Sequence, residues 1–186
     1  MNVLEVYKEA GGYLEGHFLL ASGRHSPKFL QSTTVLQHPD KAERMGAALA
    51  AKFESSPDFV PDFVVGPAMG GVVLAFVVAR ALACRALFAE KDGSGGMMIR
   101  EAFSIKPGET FVAVEDVVTT AGSLQKAIRA VESHGATLVG TACIIDRRPD
   151  EARAAFPILS LTRLVFPTYS PDACPLCDAG TPLEQV

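Results

Sequence analysis

Phe111-Val-Ala-Val-Glu115-Asp116-Val117-Val118-Thr119-Thr120-Ala121-Gly122-Ser123 decides how this chain folds. Its first four residues are apolar without alternation, as in a strand buried on both faces of a parallel sheet. Glu115 and Asp116 are expected to end that strand. A loop of small and hydroxyl residues then opens a helix over 123–133, with Gly135 as its stop. Small side chains let an anion approach the backbone, and successive N–H groups at a helix start cradle phosphate. There is no Gly-Lys-Ser/Thr, so the loop is not a nucleotide-binding Walker loop. The two carboxylates repel phosphate but suit hydroxyls and a magnesium shell beside it. A phosphate next to vicinal hydroxyls is a sugar phosphate.

Working outward, Asp62 to Val65 is a short apolar strand broken by Gly66–Pro67. Gly70 and Gly71 lead into an apolar helix ending near Cys84, and Ala86 to Ala89 is a strand. Thr137 to Ile145 is a longer strand that ends at Asp146–Arg147. This order implies parallel crossovers in an open α/β sheet, with the ligand site beyond the carboxyl ends of the strands. Before it come a helix over 3–10 and strands at His17 to Leu20 and Lys28 to Gln31, around a turn built from Ser22 to Pro27. An amphipathic helix over 41–53 follows, with Asp40 as N-cap and Glu43 completing a capping box.

The chain has 186 residues, enough for one domain, and a formal charge of −4 with no basic block. That composition argues against nucleic-acid and polybasic membrane partners. The longest apolar stretch, Pro67 to Ala79, is too short to span a bilayer. Glu5, Lys8 and Glu9 stand where a signal peptide would be apolar. The four cysteines, Cys84, Cys143, Cys174 and Cys177, then fit a reducing cytoplasm. Cys174 and Cys177 have zinc-like spacing but supply half of a closed site, so they read as a tight turn with two packed thiols. His17 and His25 read as solvated histidines outside the site.

Residues 111–123 resemble the phosphoribosyl-pyrophosphate (PRPP) signature of type I phosphoribosyltransferases. Three further segments resemble orotate phosphoribosyltransferases in that family's order. They are Phe18-Leu-Leu-Ala-Ser22-Gly23-Arg24-His25-Ser26-Pro27-Lys28-Phe29, Val65-Gly66-Pro67-Ala68-Met69-Gly70-Gly71, and Asp146–Arg147. The tail Cys174-Pro-Leu-Cys177-Asp-Ala-Gly180 is similar to the ending of one bacterial branch. The resemblance implies a type I phosphoribosyltransferase-like α/β fold: a mostly parallel sheet flanked by helices, a small N-terminal base-binding subdomain (1–40), a PRPP-binding core (41–166), a flexible catalytic loop and a C-terminal tail (167–186). It implies transfer of the phosphoribosyl group of PRPP to orotate, giving orotidine 5′-phosphate and pyrophosphate in pyrimidine biosynthesis.

It also implies roles for particular residues. Glu115, Asp116, Val117, Val118, Thr119, Thr120, Ala121, Gly122 and Ser123 would bind PRPP, with Pro67, Ala68, Met69 and Gly70 at its pyrophosphate. Lys91, Asp116 and Glu115 would be catalytic, and Asp116 would hold Mg2+ directly or through water. Arg147, Thr119, Ser26, Lys28 and Phe29 would bind orotate, Arg147 by its carboxylate. Arg148 should point elsewhere, because neighbours in an extended chain alternate faces. The mobile loop over 89–100 has Lys91 and Arg100 as its cations. The resemblance further implies a cis Ala68–Met69 peptide and a homodimer. Two alternatives stand beside it: transfer to uracil or a purine, and a PRPP-sensing regulator of the same fold.

Overall fold

A computed structural model describes residues 1–53 and 59–186. Its centre is a six-stranded sheet built from β3 (Phe63–Pro67), β4 (Arg85–Lys91), β5 (Met97–Met98), β6 (Thr110–Val118), β7 (Thr137–Asp146) and β8 (Leu159–Arg163). The strand order is β5-β4-β3-β6-β7-β8, and every pairing is parallel except β4 with β5. Helices α4 (Gly70–Ala81), α5 (Gly122–Glu132) and α6 (Asp150–Ala155) make the crossovers. The mostly parallel α/β sheet expected from the sequence is therefore present.

The strands are apolar throughout because both faces are covered. Val64, Val112, Val114 and Ile144 pack with α3 (Pro39–Ala50) and α4 on one side. Phe63, Val65, Phe111 and Ala113 pack with Leu124, Ala127 and Val131 of α5 on the other. Helices α3 and α4 approach closely: a Cβ on Gly46 would lie 2.7 Å from Val77 Cγ2.

Several boundaries differ from expectation: the first strand already starts at Tyr13, the second takes in His25 to Pro27 from the expected turn, and β3 runs on through Gly66 and Pro67. Helix α3 starts at Pro39 after His38, so Asp40 lies in the first turn and is not the N-cap. Proline presets the φ of the first helical residue, and an acid in that turn faces the positive end of the helix dipole. Strand β6 does not stop at Glu115–Asp116 but runs to Val118, because β7 pairs with it as far as Val118 opposite Asp146.

A second, three-stranded sheet stands at the edge of the first. After α1 (Val3–Glu9), β1 (Tyr13–Leu19) and β2 (His25–Leu30) form an antiparallel hairpin, with α2 (Ser32–Leu36) behind it. Beyond a 3-10 turn (Pro171–Ala173) and α7 (Pro175–Asp178), β9 (Glu184–Gln185) returns to pair in parallel with Phe18 and Leu19. The two ends of the chain thus share one sheet.

Candidate active site

Beyond the carboxyl ends of β6 and β7 lies a cleft of about 520 Å³. Asp116, Val117, Thr119 and Thr120 line one side, and Arg147 stands between the two walls. Leu20, Ala21, Ser22, Arg24, Phe29, Leu30, Phe166 and Thr168 line the other side. A separate hollow of about 370 Å³, against Val139, Thr141, Arg148, Pro157 and Ile158, shares no lining residue with the cleft.

Because β6 stays extended, its adjacent carboxylates leave opposite faces of the sheet. Asp116 belongs to the cleft side, where a Cβ on Gly70 would meet its Oδ1 at 2.8 Å. The start of α4 therefore packs tightly over this carboxylate. Gly71 is equally confined, with Pro67 Cδ 2.8 Å from its hypothetical Cβ. Side chains at 70 and 71 would displace the loop, which accounts for two glycines here. The Ala68–Met69 peptide is cis, and Met69 is exposed. Glu115 is on the α5 side and does not line the cleft. Burial first, and the charge of Asp116 second, push its pKa up to about 8.

Thr119 and Thr120 are exposed, and Ala121 is buried with φ +63°. This left-handed residue turns the chain into α5. No side chain caps the helix; the Gly122 N–H donates to Thr120 Oγ1 at 3.3 Å. The first-turn N–H groups of α5 after Gly122 receive no side-chain cap.

The two arginines after β7 part company. Arg148 is buried and binds Asp146 through Nε at 3.0 Å and Nη2 at 2.9 Å, and it donates to Phe156 O at 2.6 Å. Desolvation would raise the Asp146 pKa, but these bonds hold it below the usual range. Arg147 enters the cleft. Its guanidinium lies 4.9 Å from the Phe166 ring centroid, and its buried Nε has no hydrogen-bond partner among the described residues. Burial lowers its pKa. A half-buried cation with an unpaired Nε, facing a cleft, is suited to an anionic ligand.

The other predicted residues divide. Phe29 lines the cleft, whereas Ser26 is fully buried and donates to Lys28 O at 2.8 Å. Lys28 lies at the rim, 3.4 Å from Glu15 and 5.7 Å from the Phe166 ring centroid. The 89–100 segment is a short hairpin in which Lys91 is opposite Met97, and Asp92 Oδ1 accepts from the Ser94 and Gly96 N–H groups. Arg100 holds Glu90 with Nε and Nη2. Lys91 is exposed, pairs with no carboxylate among the described residues, and does not line the cleft.

Arg24, Phe166 and Thr168 were missed. Arg24 donates through Nε to Thr168 Oγ1 at 2.9 Å and through Nη2 to Thr168 O at 2.6 Å. Arg24 sits in the Ser22–Pro27 turn, where its sequence neighbours point to it, but Phe166 and Thr168 carry no local motif.

His17 and His25 overturn their reading as solvated loop residues. Both are buried in the hairpin, with His17 Nε2 2.9 Å from His25 Nδ1. Cys174 and Cys177 lie beside them, so the pair does not stand alone. The antiparallel register places the two histidines diagonally on one face, a neighbourhood that spacing alone did not disclose.

A parallel sheet with an acidic strand end, an uncapped helix start and a cation across the cleft has the layout of a phosphoribosyltransferase. Residues 31–168 match the phosphoribosyl transferase domain family, to which this chain belongs. It falls among the orotate phosphoribosyltransferases of that family. It is 56 % identical to the orotate phosphoribosyltransferase of Thermus thermophilus over 186 residues, covering 100 % of both chains. It is 53 % identical to that of Deinococcus radiodurans, over 100 % of this chain and 98 % of the relative. The crystal structure of orotate phosphoribosyltransferase from Aeropyrum pernix matches at 26 % identity with a TM-score of 0.70, over 88 % of this chain and 94 % of the other.

Proposed function

We propose that the cleft transfers the phosphoribosyl group of PRPP to orotate, with the phosphate end at β6–α5 and the base at Arg147. The unpaired, buried Nε of Arg147 in a cleft shared with Asp116 is the observation that carries this reading. Orotate is an anionic ring, and a guanidinium fork binds a carboxylate in two places. Phe166 and Phe29 offer the ring apolar surface, and Lys28 and Ser26 support that wall. The N–H groups from Thr119 to Ser123 hold the 5′-phosphate.

Asp116 holds ribose hydroxyls from the cleft side, and Glu115 contributes from the α5 side. As a neutral carboxyl at neutral pH in the free protein, Glu115 can donate to a hydroxyl oxygen. The loop from Pro67 to Gly70 receives the pyrophosphate. Asp116 offers a carboxylate oxygen in the cleft that fits magnesium, with substrate oxygens and water completing the shell. When bound, magnesium neutralises charge on the pyrophosphate. Positioning the base nitrogen opposite the leaving group accounts for most of the catalysis. Lys91 swings on its glycine-rich hairpin to meet the departing pyrophosphate, from its own chain or a second copy.

The same reading includes a homodimer in a reducing cytoplasm. Val73 and Phe76 expose apolar surface on α4 beside Met69, a stripe that a second copy would cover. Among the described residues no helix is long and apolar enough to cross a membrane. Light scattering showing only monomer would remove the dimer from the proposal.

The deciding assay offers PRPP and magnesium with orotate, uracil, hypoxanthine or xanthine, and follows pyrophosphate release. Release with orotate alone is expected. Release with uracil or a purine and not with orotate overturns the base assignment. PRPP binding without turnover on any base favours a regulator.

A further inference from the structure

Four side chains with metal-binding atoms converge at the far end of the N-terminal hairpin. The donor atoms of His17, His25, Cys174 and Cys177 all lie within 4.8 Å of one another. His17 comes from β1, His25 from β2, Cys174 is the N-cap of α7 and Cys177 lies within it. His17, His25 and Cys174 are buried; only Cys177 is exposed.

We propose that His17, His25, Cys174 and Cys177 form a tetrahedral zinc site that staples the C-terminal tail to the N-terminal hairpin. Zinc bonds of about 2.3 Å to sulfur and about 2.0 Å to nitrogen put tetrahedral ligand atoms about 3.3–3.8 Å apart. Cys174 Sγ lies 3.5 Å from His17 Nε2, Cys177 Sγ lies 3.7 Å from the same atom, and Cys177 Sγ lies 3.3 Å from His25 Nδ1. The two ring nitrogens, at 2.9 Å, need to part slightly.

The surroundings select the right tautomer. His17 Nδ1 is 2.8 Å from Thr181 O, and a carbonyl only accepts. Nδ1 therefore carries the proton, and the Nε2 lone pair faces the cluster. Such a hydrogen bond on the far nitrogen orients metal-bound histidines generally. Two thiolates balance the charge of Zn2+, and binding displaces the two thiol protons to solvent. A set with both sulfur and imidazole favours zinc over magnesium. All four donors are from protein, which leaves no open position, so the role is structural.

The consequence reaches the cleft. Leu20 to Arg24 follow His17, and Phe166 and Thr168 precede the cysteines, so the staple joins the two segments that form one wall. The Arg24–Thr168 bonds and the His25–Tyr169 bridge are weaker ties between them.

The test is the metal content of full-length protein purified without chelator, together with reconstitution of the stripped protein by Co2+ alone. Wild-type protein should carry about one Zn2+ per chain. The cobalt form should show visible bands of a tetrahedral ion and a thiolate charge-transfer band. Cys177→Ser, altering the exposed ligand, should lose most of its zinc, while Cys84→Ser, remote from the cluster, keeps it. Chelation should expose the tail to limited proteolysis. Zinc below about a tenth per chain, with no tetrahedral cobalt spectrum in reduced protein, would leave a hydrogen-bonded cluster and overturn the proposal. A Cys174–Cys177 disulfide in that purified protein, or unchanged zinc in Cys177→Ser, would also overturn it.

Discussion

The β6–α5 edge of the cleft comes from one unbroken stretch, 111–123, whereas the facing wall joins Arg24 to Thr168 across 144 residues. Local rules build the first: an apolar strand, an acidic end, a left-handed Ala121 and a helix start. The second exists only because the chain ends meet, through β9 on β1, the His25–Tyr169 bridge and the histidine–cysteine cluster. A site can thus pair a rigid, locally encoded half with a half whose position depends on long-range closure. A defect in the first should remove PRPP chemistry with little effect on folding. A defect in the second should change base binding.

The largest expected effect separates the edge from its fold. A Cβ at Gly122 meets only Thr120 Oγ1, at 3.4 Å, so Gly122→Glu can be accommodated. Its carboxylate favours the start of α5 and repels a phosphate there. PRPP affinity should fall by more than about a hundredfold with the melting temperature unchanged or raised. Calorimetric titration and thermal melting check both, and retained affinity would break the assignment of this edge to phosphate.

Arg147→Ala probes the boundary between the halves. A charge-assisted bond is worth roughly 1.5–3 kcal/mol, so orotate affinity should drop about ten- to a hundredfold while PRPP affinity holds. Equal loss of both would point to a general folding defect instead. Lys91→Ala should lower kcat by about tenfold with the KM for orotate little changed, since its contact forms as pyrophosphate leaves. Unchanged turnover would transfer the leaving-group charge to Arg100 or another cation.

The last test concerns pH. The Glu115 pKa rises from 4.5 to about 8 on folding, so the folded state binds this proton more tightly than the unfolded state. Its contribution is fully present below pH 4.5 and is lost as pH rises through about 8. Ligand-free wild type should therefore lose melting temperature across that window, and Glu115→Gln should show a flatter profile. Parallel profiles for the two proteins would show that Glu115 titrates normally.

The sequence carried the parallel sheet, the β6–α5 loop and the separation of Arg147 from Arg148, because strand alternation and helix starts are set within a few residues. It placed the end of β6 too early, since the partner strand β7 keeps β6 extended through Val118. It left β8 unread because that edge strand is only half buried and has no clear apolar pattern. Tertiary structure alone decided that Thr168 bonds Arg24 and Phe166 packs on Arg147, that Ser26 is buried away from the cleft, and that Lys91 lies on an outer hairpin. It alone brought His17 and His25 to Cys174 and Cys177. Metal-ligand spacing can be read along one segment, but no local signal reports which two ends of a chain will share a sheet. That choice is made by burial and strand pairing between residues far apart in sequence.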